Sequence, residues 1–217
     1  MRRVTEPDRL QATRAAYDTV AADYARMIRD SLADSPADRA VLGLFAELVD
    51  GPVADIGCGP GRITAHLASL GVDAAGVDLS PAMVHLARNA YPGLRFDVAS
   101  MTALPLADAS LGGLLAWYSL IHVPPRQHPA VLTEFARVLR HGGRLVLAFQ
   151  VGDERRHITQ AYGHDGLDLD AYRLDPAQVS AALAAAGLPA HATLVRQPEG
   201  PEKTPQAYIL ARKTTPG

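Results

Sequence analysis

The sequence predicts an α/β domain with a doubly wound, largely parallel sheet closed by an antiparallel hairpin. Short apolar runs that read as strands alternate with segments whose apolar residues recur every three or four positions, which places helices on both faces of a parallel sheet. Leu111 to Ser119 is almost continuously apolar, as a strand covered on both sides must be. The last two strands, His191 to Arg196 and Ala207 to Arg212, have no helix between them, so they pair antiparallel. A length of 217 residues suits one domain, expected over 1–217.

The elements follow in order. From Pro7 to about Arg29, Leu10, Ala16, Tyr17, Val20, Tyr24 and Met27 fall at helical spacing. Ser35-Pro36 breaks the chain, and Val41, Leu42, Phe45 and Leu48 mark a second helix ending near Asp50-Gly51-Pro52. Residues 1–50 are therefore expected as an N-terminal helical cap. Val53 to Ile56 reads as the first strand and Ile63 to Leu70 as a helix stopped by Gly71. Ala74 to Leu79 is a second strand, and Ser80-Pro81 starts a helix with a capping hydroxyl and a proline in its first turn. Leu94 to Ala99 and Leu111 to Ser119 supply strands three and four. Pro124-Pro125 opens a helix ended by His141-Gly142-Gly143, and Arg144 to Phe149 is strand five. Asp175-Pro176 starts the last helix, which stops at Gly187. The stretch 150–174 fits neither period; a connection this long, at the carboxyl end of a strand, is expected as a lid or substrate loop.

Composition removes several function classes. A formal net charge of −2 gives no basic field for nucleic acid. Cys58 is the only cysteine, which excludes an internal disulfide and a multi-cysteine zinc site. Leu111 to Val123, the longest near-apolar stretch, is too short to span a bilayer, and the N-terminus lacks an apolar signal core. The expectation is a cytoplasmic monomer or homodimer that meets a small molecule, without nucleic-acid or membrane partners.

The chemistry-bearing segment is Val53-Ala54-Asp55-Ile56-Gly57-Cys58-Gly59-Pro60-Gly61. Glycines after a strand permit positive φ and a close backbone approach to a ligand. The second strand ends at Asp78, about twenty residues on, where an acidic side chain can accept from ribose hydroxyls. Counted from Gly57, the third glycine of a dinucleotide fingerprint would fall on Arg62, so that pattern is broken. A phosphate loop ending in Gly-Lys-Ser/Thr is absent.

This segment resembles motif I of class I S-adenosylmethionine (SAM)-dependent methyltransferases, and Gly76-Val77-Asp78-Leu79-Ser80-Pro81-Ala82-Met83 resembles their ribose-binding motif. The likeness to the small-molecule methyltransferases continues through Met101 to Ser110 and Glu134 to Leu145, and covers roughly Tyr17 to Phe149. It implies a Rossmann-like seven-stranded sheet of order 3-2-1-4-5-7-6, with strand 7 antiparallel. It also implies SAM as methyl donor, with S-adenosylhomocysteine as product. By resemblance Gly57, Cys58, Gly59 and Gly61 lie at the methionine end, Asp55 holds its amino group, Asp78 takes the ribose, and Leu79 and Met83 flank adenine. Tyr17 and Tyr24 match a helix that covers the cofactor. Where relatives carry Gly-Asp beside adenine this chain has Ala99-Ser100, so that contact falls to Ser100 and Met101.

The segment Trp117-Tyr118-Ser119-Leu120-Ile121-His122 follows strand four and is expected beside the sulfonium, with Trp117 on the cofactor and Tyr118 on the acceptor. His122 is a candidate general base and substrate contact by its titration range. In the expected lid, His157 is a rival base and substrate contact, and Tyr162 and His164 are further contacts. Asp153 and Glu154 are the carboxylates a metal would use, but adjacent acids in a loop are usually solvated, so metal-independent transfer to oxygen, nitrogen or carbon of a metabolite is expected. C-methylation of a quinone or lipid precursor and a non-catalytic SAM-binding regulatory role are the alternatives.

Overall fold

Residues 6–214 are described by the computed structural model, and their chain order follows from local chemistry. Helices α1 (Glu6–Ile28) and α2 (Pro36–Leu48) come first. Ser35 caps α2 by accepting from the Asp38 N–H, with Pro36 in the first turn. Then β1 (Val53–Ile56), α3 (Arg62–Ser69), β2 (Ala74–Asp78), α4 (Pro81–Ala90) and β3 (Arg95–Val98) alternate. Ser80 caps α4 in the same way as Ser35 caps α2, and Asp175 accepts from the Ala177 N–H at the start of the last helix. After β4 (Leu111–Trp117) come α5 (His128–Val138), β5 (Leu139–Gln150), β6 (Arg155–Ala161), β7 (His164–Tyr172), α6 (Pro176–Ala185), β8 (Ala190–Arg196) and β9 (Gln206–Arg212).

Seven strands form one sheet in the order β3-β2-β1-β4-β5-β9-β8. With β8 and β9 as sixth and seventh strands, this is the expected order; β9 runs antiparallel to both β5 and β8. Every residue of β1 and β4 is buried, so both faces of the centre are covered. One apolar layer joins α5 and α6 to the sheet through residues such as Phe135, Leu183 and Phe149; the other joins α2 and α3 through Phe45 and Leu67. Gly112 is required where β4 enters the sheet, because a Cβ there would lie 1.7 Å from the Asp50 carbonyl oxygen. No described helix is long and apolar enough to cross a membrane.

Two expectations need correction. His141-Gly142-Gly143 does not end a helix: α5 stops at Val138 and β5 begins at Leu139, with Gly142 at φ +76° inside the strand. The stretch 150–174 is not an irregular loop but the hairpin β6–β7, a separate two-stranded sheet. Its alternation was present in Leu167-Asp168-Leu169-Asp170-Ala171, where Leu167, Leu169 and Ala171 are buried. The signal at its tip was masked. Tyr162 and Gly163 form the two-residue turn with φ +56° and +81°, and tyrosine is an unusual residue for the first of those positions.

The hairpin packs on α1, and both lie over the carboxyl ends of the sheet strands. Ala16, Val20, Leu167 and Leu169 make a small apolar cluster there, bordered by Tyr17, Tyr24 and Tyr162. The Arg9–Asp170 ion pair (2.7 Å) and the His164–Asp23 contact (2.8 Å) tie the two elements together. Asp18 anchors α1 to α4 by accepting from the Ser80 hydroxyl and the Ala82 N–H.

Candidate active site

The sheet positions the site through the turn after β1. Gly57, Gly59 and Gly61 all have positive φ, and a Cβ on Gly57 would come within 2.2 Å of the Ser119 Cβ. That approach is fixed from the other side, since the Ser119 hydroxyl donates to the Ile56 carbonyl at 2.6 Å. The turn thus leaves its backbone open to a ligand where any side chain would fill the space. Gly57 and Gly59 line a cavity there. Gly61 and Cys58 do not. A Cβ on Gly61 would strike Phe96, and the Cys58 thiol packs beside Val84, Ala87 and Phe96, where burial pushes its pKa up. Their expected place against the ligand is replaced by a packing role behind the turn.

Asp78, at the end of β2, faces the same cavity. Its two carboxylate oxygens accept from the Gly59 and Ser80 N–H groups, each at 2.8 Å, and each keeps a free lone pair. Burial raises its pKa against those hydrogen bonds. Leu79 and Met83 form one wall and Ser100 and Met101 another; the Ser100 hydroxyl is engaged with Thr102 at 2.8 Å. Asp55 lies behind the turn, outside the cavity lining. Its Oδ2 accepts from the Thr64 hydroxyl at 2.7 Å, while Oδ1 is enclosed without a partner among the described residues. Burial pushes its carboxyl up to about 7, against the Thr64 hydrogen bond and the nearby Arg62 charge.

Helix α1 closes this cavity with Leu10, Thr13, Tyr17 and Tyr24. Beyond Tyr17, Tyr24, Trp117, Tyr118 and His122 lies a larger cavity of about 720 Å³, and these five side chains line both spaces. Tyr17 and Tyr24 meet edge to face at 5.8 Å, as do Tyr24 and Tyr162 at 5.1 Å. Tyr118 holds φ at +54°, a strained value for a non-glycine residue, and turns the chain directly after β4.

His122 is the chemical centre of the shared wall. Its Nδ1 lies 2.9 Å from the Asp170 carbonyl oxygen and its Nε2 lies 2.6 Å from the Tyr17 hydroxyl. A carbonyl only accepts, so Nδ1 carries the proton and neutral Nε2 accepts from the tyrosine. Burial lowers the His122 pKa and raises that of Tyr17, which favours this neutral pair. Asp170 also gathers Arg9 at 2.7 Å, Arg155 at 2.8 Å and His157 at 3.1 Å on its carboxylate. One hairpin residue therefore fixes the His122 tautomer with its carbonyl and the hairpin's seat on α1 with its side chain.

The structure does not bring His157 or His164 to either cavity. His157 is taken up by Asp170 and Asp168 on the other face of the hairpin, and His164 by Asp23. A base must reach the proton it removes, so the rival role of His157 is withdrawn. Tyr162 lines the larger cavity. Arg62, Arg156, Asp170 and the 199–204 loop were not singled out from sequence. Only the Leu-Asp alternation around Asp170 could have flagged any of them.

A methyltransferase domain model matches residues 53–143. An uncharacterized methyltransferase of Mycobacterium tuberculosis is 35% identical over 118 residues, which is 52% of this chain and 47% of that protein. An O-methyltransferase of Pyrenophora dematioidea is 37% identical over 109 residues, 47% of this chain and 40% of that protein. The chain thus spans less than half the length of these relatives. Among solved structures, Burkholderia thailandensis 1,6-didemethyltoxoflavin-N1-methyltransferase superposes with a TM-score of 0.70 at 22% identity, covering 93% of this chain and 88% of that one. That structure holds S-adenosylhomocysteine and 1,6-didemethyltoxoflavin. Strand order, glycine turn and sequence matches agree: residues 53–143 are similar to the methyltransferase domain family, and the seven-stranded sheet shares the fold of the solved Burkholderia enzyme.

Proposed function

We propose that the chain binds SAM in the cavity over the glycine turn and methylates a hydroxyl group of a small molecule held in the larger cavity. The observation that carries this reading is the Tyr17–His122 pair on the wall shared by both cavities. The residues present fit the cofactor. The Gly57 backbone is open where a Cβ could not stand, and Asp78 keeps two lone pairs for a diol. Leu79 and Met83 provide an apolar slot for adenine. SAM supplies an electrophilic methyl group, so the protein needs only to orient the nucleophile and take its proton. Neutral Nε2 of His122 draws the Tyr17 proton, which makes the Tyr17 oxygen the site where an acceptor's proton is received. Asp170 holds the imidazole in the tautomer this needs, and α1 with the hairpin excludes water.

The O-methyltransferase relative supports oxygen as the acceptor atom, and the complex of the Burkholderia N1-methyltransferase supports a small-molecule acceptor. Calorimetric titration with S-adenosylhomocysteine is the first test, with binding at micromolar concentrations expected. No heat and no protection against thermal unfolding would sink the proposal. With binding established, methyl transfer to hydroxylated compounds should fall in both Tyr17→Phe and His122→Asn. A Tyr17→Phe variant with full turnover would remove the tyrosine from the proton path.

A further inference from the structure

Two guanidinium groups on the larger cavity, partly buried Arg62 and exposed Arg156, have no carboxylate within 4.0 Å among the described residues. Of the three arginines in or beside the hairpin, two are satisfied: Arg155 by Asp170 at 2.8 Å and Arg173, just after β7, by Glu154. Arg156 lines the cavity and has no carboxylate within 4.0 Å among the described residues. Across the space, Arg62 projects from the first turn of α3. Its Nη1 is enclosed and finds no acceptor among the described residues. An enclosed charged donor without a partner is costly, and a ligand oxygen would relieve it.

The other charges on this cavity do not supply that oxygen. Glu202 is held by Arg196 through two contacts, at 2.5 and 2.6 Å. Asp38 accepts from the Tyr208 hydroxyl at 2.5 Å. Asp34, Glu199 and Lys203 are exposed. Arg62 and Arg156 remain, from α3 and the hairpin; Tyr24 of α1 and Tyr162 of the hairpin tip, in edge-to-face contact, line the same cavity.

We propose that the larger cavity is a carboxylate site in which Arg62 and Arg156 receive the anion. This rests on the SAM reading, because two sources of carboxylate then exist: the amino-acid end of the cofactor and an acidic acceptor. Arginine on a carboxylate gives charge-assisted, often bidentate, hydrogen bonds, so each lost arginine should weaken a carboxylate ligand about tenfold or more.

Calorimetry on the wild-type chain, Arg62→Ala and Arg156→Ala separates the sources. In the first arm the ligands are S-adenosylhomocysteine and 5′-methylthioadenosine, which lacks the amino-acid end. In the second, protein saturated with S-adenosylhomocysteine is titrated with 4-hydroxybenzoate and with its uncharged amide. Selective loss of S-adenosylhomocysteine affinity assigns the arginine to the cofactor, and selective loss of the benzoate assigns it to the acceptor; either supports the site. Restoration by Arg62→Lys would confirm that charge is what matters. The proposal is overturned if both alanine variants bind S-adenosylhomocysteine like wild type and show no benzoate-specific loss. Equal loss of charged and uncharged ligands overturns it too, since that marks a structural role. If wild type itself fails to bind S-adenosylhomocysteine, it is the SAM reading that falls.

Discussion

The two sides of the cavity over the glycine turn are built by different means. The cradle, formed by the ends of β1, β2 and β4, is held by backbone hydrogen bonds of a buried parallel sheet and by turns such as Gly57 N–H to Val77 carbonyl at 2.7 Å. The cover, α1 and the β6–β7 hairpin, is held by one small apolar cluster and by side-chain pairs that join residues up to 161 positions apart. Elements with few buried apolar contacts open at lower free energy than a sheet core. The cradle can therefore be rigid while the cover admits ligands, and His122 sits where the two meet.

The largest test of that division is His122→Asn. Asparagine keeps an N–H for the Asp170 carbonyl but cannot take a proton, so kcat should fall by about 10² to 10⁴-fold while S-adenosylhomocysteine affinity stays near wild type. Equal loss of both would mean that the histidine belongs to the cradle. Next, Gly57→Ala forces a Cβ onto Ser119 at strained φ. It should cost about 3 kcal/mol by denaturant melts and remove cofactor binding. Unchanged stability would show that the turn yields where the geometry says it cannot.

The third test uses pH. Asp55 is raised to about 7 in the fold from an ordinary value near 4 in the unfolded chain. Between those values the folded state binds the extra proton, so ligand-free stability falls as pH rises through that window and levels off above it. A cationic ligand group at the turn offsets the ionised form, so the stabilisation by S-adenosylhomocysteine should grow over the same range. Asp55→Asn should flatten both trends in melts followed from pH 5 to 8; an unaltered slope would place the titration elsewhere. Smallest is Arg9→Ala, which releases one tie between α1 and Asp170. A cost of about 1 kcal/mol is expected, with faster S-adenosylhomocysteine dissociation by stopped flow. Faster release with no larger loss of global stability than this would sharpen the distinction between cover and cradle, and wild-type release would erase it.

Legibility in the sequence follows the same division. Val53 to Gly61 and Gly76 to Met83 could be read directly, because a strand, its glycine turn and the next acidic strand end are close in sequence and chemically distinctive. Ser80-Pro81 and Asp175-Pro176 announced their helices because a cap is a local hydrogen bond. The hairpin was misread since its polar face bears charges that pair only after folding, and its turn begins with tyrosine. His157 and His122 looked alike as candidate bases. Strand parity sends one to Asp168 and Asp170, while the segment after β4 carries the other to Tyr17.

By itself, the sequence determined the alternating architecture, the strand order expected from the resemblance, and the glycine turn with Asp78 opposite it. These depend on residue type, period and spacing over at most a few dozen positions. Only the tertiary structure decided that Cys58 and Gly61 support the turn from behind, that one Asp170 serves both His122 and Arg9, and that Arg62 and Arg156, on one cavity, meet no carboxylate among the described residues. The physical reason is that a carboxylate, an imidazole or a guanidinium takes its role from the partner it meets. Those partners are set by packing between elements distant in the chain.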